Sequence, residues 1–518
     1  MAPPLSFSRH DRTPGPATQG MRLSDLLEAV GMHGRLHADP SVVDVTEDSR
    51  EVQPGWLFVA IPGHQEDGAR YAEEALKRGA VGVVAEHPLP LEATTILVSD
   101  ARRFLGLAAA TINGHPSRRI PVFGLTGTDG KTTTCYLLRA VLEAGGTATG
   151  MMTTVETTIG RRSARSEGRM TTPSASHIQR SLRHMVEAGD QAAVMEISSH
   201  ALAQERVTGT TLQSAAVTNI AADHLDYHGS IDAYADTKAR IFDLVAHSSA
   251  GPVGAVNADD PISAQRFGKR KDLLRFGIEQ AAGVRGTILG ETDHSIRCSF
   301  RYCDSEAEFS LPTVGQFNVS NALAAASLGL LFGYDLATVA SGLEQATLPA
   351  GRLQKIEAKQ GFEVFVDYAH TEQAFGSVMK DLKARADRRR GRIIAVFGAA
   401  GDRDRAKRPV LARLAAGQCH FFVITNEDPF SEDPSSIMAE VASGAPRDLE
   451  GRQWVLEPDR ETAIRMALER ARPGDIVVVT GKGHEQSIAT RAGAIPWSDA
   501  DVIRRLLDRT TIPAAGQE

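Results

Sequence analysis

Gly124-Leu125-Thr126-Gly127-Thr128-Asp129-Gly130-Lys131-Thr132-Thr133 is the stretch on which the fold turns. It ends an apolar run at residues 121–125 and leads into a segment where Cys135, Leu138, Val141 and Leu142 share one helical face. Gly145-Gly146 can end that helix. The pattern predicts strand, loop, helix. In such a loop the glycines let backbone N–H groups converge on phosphate oxygens, and the helix N-terminus adds partial positive charge. Lys131 would reach the β- and γ-phosphates, and Thr132 can ligate Mg²⁺. The run departs from a strict G-x4-G-K-[ST], because Leu125 stands at the first glycine position. ATP is the nucleotide it suits.

Outward from the loop, apolar runs at 192–197, 215–220 and 254–257 alternate with helical stretches, as in a largely parallel sheet. Further on, runs at 362–367, 393–397, 421–425 and 476–480 alternate with helices again and read as a doubly wound, Rossmann-like domain. Ahead of the loop, Ser24 is expected to cap a short helix carrying Leu26, Leu27 and Val30, before apolar runs at 57–61, 81–85 and 96–98. Breaks rich in Gly and Pro at 113–119 and 348–351 divide the chain into 21–117, 118–349 and 350–518. Residues 1–20, rich in Pro, Ser and Arg, read as a disordered tail without the apolar core of a secretory signal. The expected fold is therefore α/β in three domains, in keeping with 518 residues at about 100–200 per domain.

Composition excludes other classes. With 57 Lys+Arg against 64 Asp+Glu the net charge is −7, so no basic footprint points to nucleic acid or an acidic membrane. An anionic ligand would need cations placed locally. No run approaches about 18 apolar residues, so no transmembrane helix is expected. The four cysteines, Cys135, Cys298, Cys303 and Cys419, form no C-x-x-C pair and read as buried free thiols of a reducing cytoplasm.

Glu196 ends the 192–197 run beside the phosphate loop, where a carboxylate can hold Mg²⁺. His224 and His228 have the H-x3-H spacing of a zinc pair, but Leu225 stands where a zinc hydrolase has its glutamate. By pattern alone, Lys238 is a solvated charge on an amphipathic helix.

The ordered set resembles the Mur ligases, from about Met21 to the C-terminus. It comprises the phosphate loop, Glu196-Ile197-Ser198-Ser199-His200, Asp223-His224-Leu225-Asp226-Tyr227-His228-Gly229 followed by Lys238, and Asn257-Ala258-Asp259-Asp260. The segment 318–325, Gly351-Arg352 and Asp367-Tyr368-Ala369-His370 complete it. Four more segments resemble the members that add the third residue of the stem peptide: Glu47-Asp48-Ser49-Arg50, Gly63-His64-Gln65, Gly401-Asp402-Arg403-Asp404 and Gly481-Lys482-Gly483-His484-Glu485. This resemblance implies a uridine-binding N-terminal domain, a central ATPase domain and a Rossmann-like C-terminal domain. It also implies an ATP-dependent ligase that activates the D-glutamate of UDP-N-acetylmuramoyl-L-alanyl-D-glutamate as an acyl phosphate.

The resemblance further implies that Lys131 steadies the γ-phosphate within a loop of Gly127, Thr128, Asp129, Gly130, Thr132 and Thr133. Thr132 and Glu196 would hold one Mg²⁺ and His224 a second. Lys238 would carry a CO₂-derived carbamate as a further metal ligand, against its reading by pattern. Asn257, Arg352 and Asp367 would contact the nucleotide, the last two by closure of the third domain. Ser49, His64 and Gln65, with Thr171, Thr172, Ser198, Gln204 and Arg206, match the contacts to the UDP-substrate. Arg403, Gly481 and Glu485 match those to the incoming amino acid.

Members that add meso-diaminopimelate carry Asp-Asn-Pro-Arg, whose arginine meets the distal carboxylate. Here that motif is Glu427-Asp428-Pro429-Phe430, which suits an ammonium group and favours L-lysine or L-ornithine. The partners implied are small molecules alone, for a cytoplasmic monomer. Two other readings are weaker: a different Mur-type or folylpolyglutamate-type ligase, and a nucleotide switch that borrows the loop. A dehydrogenase is weaker again, since Gly398-Ala399-Ala400-Gly401 lacks a full G-x-G-x-x-G.

Overall fold

A computed structural model of the chain describes residues 20–32, 38–63, 66–166, 170–246 and 251–509. The expected N-terminal tail lies outside the described residues, Gly20 aside. Strand Val122–Thr126, buried at all five positions, pairs in parallel with Ala192–Glu196 on one side and Ser214–Val217 on the other. It sits inside an eleven-stranded sheet. Seven strands of that sheet, from Thr149–Met152 across to Val284–Glu291, run parallel. Antiparallel hairpins extend both edges, Glu156–Ile159 with Arg162–Arg165 on one and Ile296–Tyr302 with Ser305–Leu311 on the other.

Helices cover both faces, which is why the inner strands read as continuous apolar runs. Helices Lys131–Ala144, Phe317–Phe332 and Leu336–Glu344 bury one face, and Ala175–Glu187 with Ile231–Ala239 bury the other. The face expected for the first helix is the observed one: Cys135, Leu138, Val141 and Leu142 are all fully buried.

The N-terminal sheet has four parallel strands in the order Asp44–Thr46, Trp56–Val59, Gly82–Ala85, Thr95–Leu97. Its side chains alternate between faces. Leu57 and Val59 meet helices Leu23–Ala29 and Ala101–Ile112, while Trp56 and Phe58 meet Ala72–Lys77. Ser24 is not the cap of Leu23–Ala29; it lies inside the first turn, where its N–H and hydroxyl donate to Asp39 at 2.8 and 3.0 Å. The acceptor comes from a distant loop that no local pattern marks.

The C-terminal sheet runs Gln354–Ile356, Glu363–Asp367, Ile476–Thr480, Ile393–Phe397, Phe421–Ile424, Trp454–Leu456, with the first strand antiparallel. Because Ile476–Thr480 inserts beside Glu363–Asp367, the strand order reverses there, and loops at the carboxyl ends open a crevice. Among the described residues no helix is long and apolar enough to cross a membrane. Cys135, Cys298 and Cys419 are buried free thiols, but Cys303 is exposed in a hairpin turn with φ of 52°.

The domains are joined by charge. Arg180 of helix Ala175–Glu187 reaches Asp44 and Glu51 of the N-terminal domain at 3.0 and 3.2 Å. Arg385 of helix Glu372–Arg388 reaches Glu291 at 3.0 Å and the carbonyls of Thr292 and Asp293 at 3.0 and 2.9 Å.

Candidate active site

The phosphate loop leaves the sheet at Thr126 and enters helix Lys131–Ala144 at Gly130, whose φ of 82° favours glycine. A Cβ there would strike the side chain of Asn321. No side chain caps this helix, so its first N–H groups and partial positive charge form an anion site. Asn219 Oδ1 accepts the N–H groups of Thr128 and Asp129 at 3.2 and 2.9 Å, and Thr218 Oγ1 donates to the carbonyl of Asp129 at 2.6 Å. Lys131 Nζ donates to the carbonyls of Gly127 and Thr128 at 3.0 and 2.8 Å. Burial pushes the Asp129 carboxyl up to about 6, against the pull of Lys131.

Glu196 is buried at the end of its strand. Its Oε2 accepts from Thr132 Oγ1 at 2.9 Å and from both the N–H and the hydroxyl of Thr154 at 3.0 Å. This oxygen-only donor set, beside the phosphate loop, fits Mg²⁺. Lys238, read by pattern as solvated, is 1% exposed. Its Nζ donates to the carbonyl of Gly127 at 2.8 Å and lies 4.4 Å from the Tyr234 ring. Burial, reinforced by Lys131, pulls its pKa well below the usual lysine value.

His224 has φ of 52° and a half-exposed side chain, with Nε2 3.3 Å from Asp223. Its ring meets His200 edge-on at 4.7 Å, and His200 also faces Tyr227 and His228 at 4.4 and 5.6 Å. Burial, then the neighbouring histidines, lowers His200 to about 4. Among the described residues no three His, Cys, Asp or Glu side chains converge as a metal cluster.

Of the expected nucleotide residues, Asn257 braces the loop, donating to the carbonyl of Thr218 at 2.9 Å and to Ser320 at 3.1 Å. Asp367 accepts the N–H groups of Leu353 and Ala369 at 2.5 and 2.7 Å, which fixes the hinge turn. Arg352 crosses to the central domain, where Nη2 donates to Thr132 Oγ1 at 3.3 Å. A cavity of about 340 Å³ opens beside it, lined by Thr313, Val314, Pro349 and Lys355.

Four of the expected UDP-substrate residues meet. The Thr172 hydroxyl donates to the carbonyl of Glu196 at 3.0 Å and accepts the N–H of Ser198 at 2.9 Å. Arg206 donates to the carbonyl of Thr172 at 3.0 Å and to Gln204 at 2.6 Å. Thr171 adjoins them, half-buried. Ser49 is buried in the N-terminal domain, donating to Glu74 at 3.2 Å, and does not join this cluster. His64 and Gln65 lie outside the described residues.

The expected amino-acid residues all stand at carboxyl ends of C-terminal strands. The loops are laced together: Gly401 N–H donates to the carbonyl of Asp428 at 2.8 Å, and a Cβ on Gly401 would strike the carbonyl of Pro429. The guanidinium of Arg403 lies 5.4 Å from the Phe430 ring. The acidic pair behaves unequally. Asp428 accepts from the buried Lys482 at 2.7 Å and from the N–H of Ala489 at 2.6 Å, so its charge is already matched. Glu427 is buried, its Oε2 has no hydrogen-bond partner, and burial raises it to about 7 despite Arg460 and Lys482. Lys482 also pairs with Glu485. The expected negative excess therefore rests on Glu427 and part of Glu485 alone.

Sequence reasoning missed Asn219, Thr154 and Lys482. Lys482 stood inside a quoted motif, but its partner Asp428 comes from a loop 54 residues away. Asn219 and Thr154 act as single side chains on loops and carry no periodic mark.

Comparison with known proteins covers all three domains. Residues 42–117 match the model described as Mur ligase family, catalytic domain, residues 125–329 the Mur ligase middle domain, and residues 351–483 the Mur ligase glutamate ligase domain. The chain is 40% identical over 514 residues to a UDP-N-acetylmuramyl-tripeptide synthetase of Roseiflexus sp. (strain RS-1), covering 94% of this chain and 99% of that one. It is 37% identical over 493 residues to a UDP-N-acetylmuramoyl-L-alanyl-D-glutamate–2,6-diaminopimelate ligase of Solibacter usitatus (strain Ellin6076), covering 94% and 98%. A solved ligase of that second name superposes with TM-score 0.65 at 27% identity, over 95% of this chain and all of the other. A MurF ligase from Thermotoga maritima, in complex with ADP, shares the fold with TM-score 0.64 at 18% identity, over 90% and 97%.

Proposed function

The chain belongs to the Mur ligase family, ATP-dependent ligases of peptidoglycan synthesis, and from that premise we propose that it adds the third stem-peptide residue. The acceptor is UDP-N-acetylmuramoyl-L-alanyl-D-glutamate, and the incoming residue is a diamino acid with a free distal ammonium, L-lysine or L-ornithine. The observation that carries the choice is Phe430. Where a distal carboxylate needs a cation, this chain offers an aromatic ring that is itself stacked with Arg403. The buried Glu427 carboxyl beside Gly481 supplies the complementary acid. A second reading, meso-diaminopimelate, is favoured by the names of relatives such as that of Solibacter.

The reaction asks the protein to hold two anions together and then admit an amine. An oxygen of the substrate's side-chain carboxylate attacks the γ-phosphorus of ATP and ADP leaves. The amine nitrogen then attacks the acyl carbon and inorganic phosphate leaves. Lys131 and the helix N-terminus hold the phosphates, and Arg352 reaches the same point from the third domain, so the site is complete only when the domains meet. Thr132 and Glu196 would hold Mg²⁺, which when bound neutralises charge on the transferring phosphoryl group. Burial, reinforced by Lys131, draws the Lys238 amine toward its neutral form, the form that adds to CO₂. Loss of one proton on addition then leaves a carbamate anion in place of the amine. Arg403 orients the α-carboxylate of the incoming amino acid, with Glu485 at the same mouth. The working form is a monomer in the cytoplasm.

Phosphate release should be followed with ATP, the UDP-muramoyl-dipeptide and each of L-lysine, L-ornithine and meso-diaminopimelate. Turnover with either basic amino acid well above that with diaminopimelate is expected. Preference for diaminopimelate would overturn the assignment.

A further inference from the structure

Tyr368 belongs to the Asp-Tyr-Ala-His motif after strand Glu363–Asp367, and the mechanism above gives it no task. Two segments converge on it. From the hinge, the Arg352 guanidinium lies 4.4 Å from its ring, while the same arginine donates to Thr132 in the phosphate loop. The buried Arg352 Nε has no hydrogen-bond partner. From the third strand end, Glu485 Oε1 stands 3.5 Å from the Tyr368 hydroxyl. Gly483 lets that loop approach: a Cβ there, at φ of 52°, would lie 2.7 Å from the Tyr368 Cβ and 2.8 Å from the Gly351 carbonyl. The ring also packs at 5.2 Å from His484.

We propose that Tyr368 is a positioning residue that ties the ATP side of the site to the amino-acid side, its ring seating Arg352 and its hydroxyl seating Glu485. The inference rests on the reading of Arg352 and Glu485 as nucleotide and amino-acid contacts. The two halves of the side chain have separable tasks. A ring face attracts a guanidinium whether or not it carries a hydroxyl. Only the hydroxyl can donate to a carboxylate, and that bond fixes the rotamer of a side chain which Lys482 also pulls. A tyrosine that merely filled space would show no such division, because phenylalanine fills the same volume.

The test compares full-length wild type, Tyr368→Phe and Tyr368→Leu, with ADP affinity measured calorimetrically and KM measured for whichever of the three amino acids the wild type uses. Tyr368→Phe should raise the amino-acid KM about three- to tenfold, the effect of one ordinary hydrogen bond, with ADP affinity unchanged. Tyr368→Leu should also weaken ADP about three- to tenfold, the effect of losing a cation–π contact. Equal loss on both sides in Tyr368→Phe, or no loss on either, would overturn the proposal even if the leucine variant does not fold. The ADP arm needs no amino acid, so a wild type that bound ADP but used none of the three would count against the assigned reaction. Unchanged ADP affinity in a folded leucine variant would count against Tyr368.

Discussion

A lysine with 1% exposure, bonded to a loop carbonyl and facing a second lysine, is an expensive way to place a positive charge. It is a sound way to place a nucleophilic amine. Lys238→Ala should therefore cut ligase activity about 10–100-fold, the usual cost of a side chain that organises a metal site, and a short carboxylic acid should restore part of it. Steady-state rates with and without added acid check this, and full activity in the unrescued variant would remove Lys238 from the site. Glu427 makes a prediction about pH. Its folded pKa of about 7 stands above the ordinary 4.5, so between those values the folded chain keeps a proton the unfolded chain has lost. Stability conferred by this group is thus present at about pH 4.5 and is lost as pH rises through about 7. Glu427→Gln has no such proton. Relative to wild type its Tm should rise between mildly acidic and mildly alkaline buffer, and a constant difference would contradict the assignment. Lys131 and Glu196 were legible in the sequence because a phosphate loop and a strand end constrain them. The burial of Lys238 was not, because it depends on Tyr234 and Gly127 arriving from elsewhere in the fold.

At the scale of elements, the C-terminal end of helix Glu372–Arg388 fastens the third domain to the central hairpin through a cluster of arginines around Arg385. Arg385 is buried among Glu363 at 2.7 Å, Glu291 and two carbonyls, and Arg388 and Arg389 reach the same hairpin. Burial alone would raise the Glu363 carboxyl, but hydrogen bonds from Arg385 and Lys355 outweigh it and hold the group at about 2. Arg385→Ala leaves that carboxylate with Lys355 at 2.8 Å and the longer contact to Arg389 at 3.8 Å, and should cost about 3 kcal/mol. The earliest urea transition should shift to lower denaturant, whereas an unmoved midpoint would show the pin to be idle. The inner strands were readable because burial on both faces makes them continuous apolar runs; Gly254–Asn257, Ile393–Phe397 and Ile476–Thr480 have the expected ends. Val284–Glu291, its antiparallel partner Ile296–Tyr302 and the next strand Ser305–Leu311 were not singled out, since an edge meander alternates buried and exposed positions and carries Gly286 and Gly290 within it.

For the molecule as a whole, the acidic net charge poses no obstacle to binding two nucleotides, because the cations are local. Lys131 and Arg206 stand on the central domain at the phosphate loop and beside Thr172, and Arg352 reaches Thr132 from the hinge, so the phosphate loop gains that arginine only once the central and third domains are assembled. The order of motifs made that assembly legible before any coordinate. The amino-acid pocket was less so, because Lys482 neutralises Asp428 across two loops that are 54 residues apart. The central claim is that Phe430 and Glu427 set this ligase for a distal ammonium. One measurement tests it most directly: the product mass formed from an equimolar mixture of L-lysine, L-ornithine and meso-diaminopimelate, with ATP and the UDP-muramoyl-dipeptide. The account predicts a UDP-muramoyl-tripeptide carrying lysine or ornithine, and a product carrying diaminopimelate would contradict it.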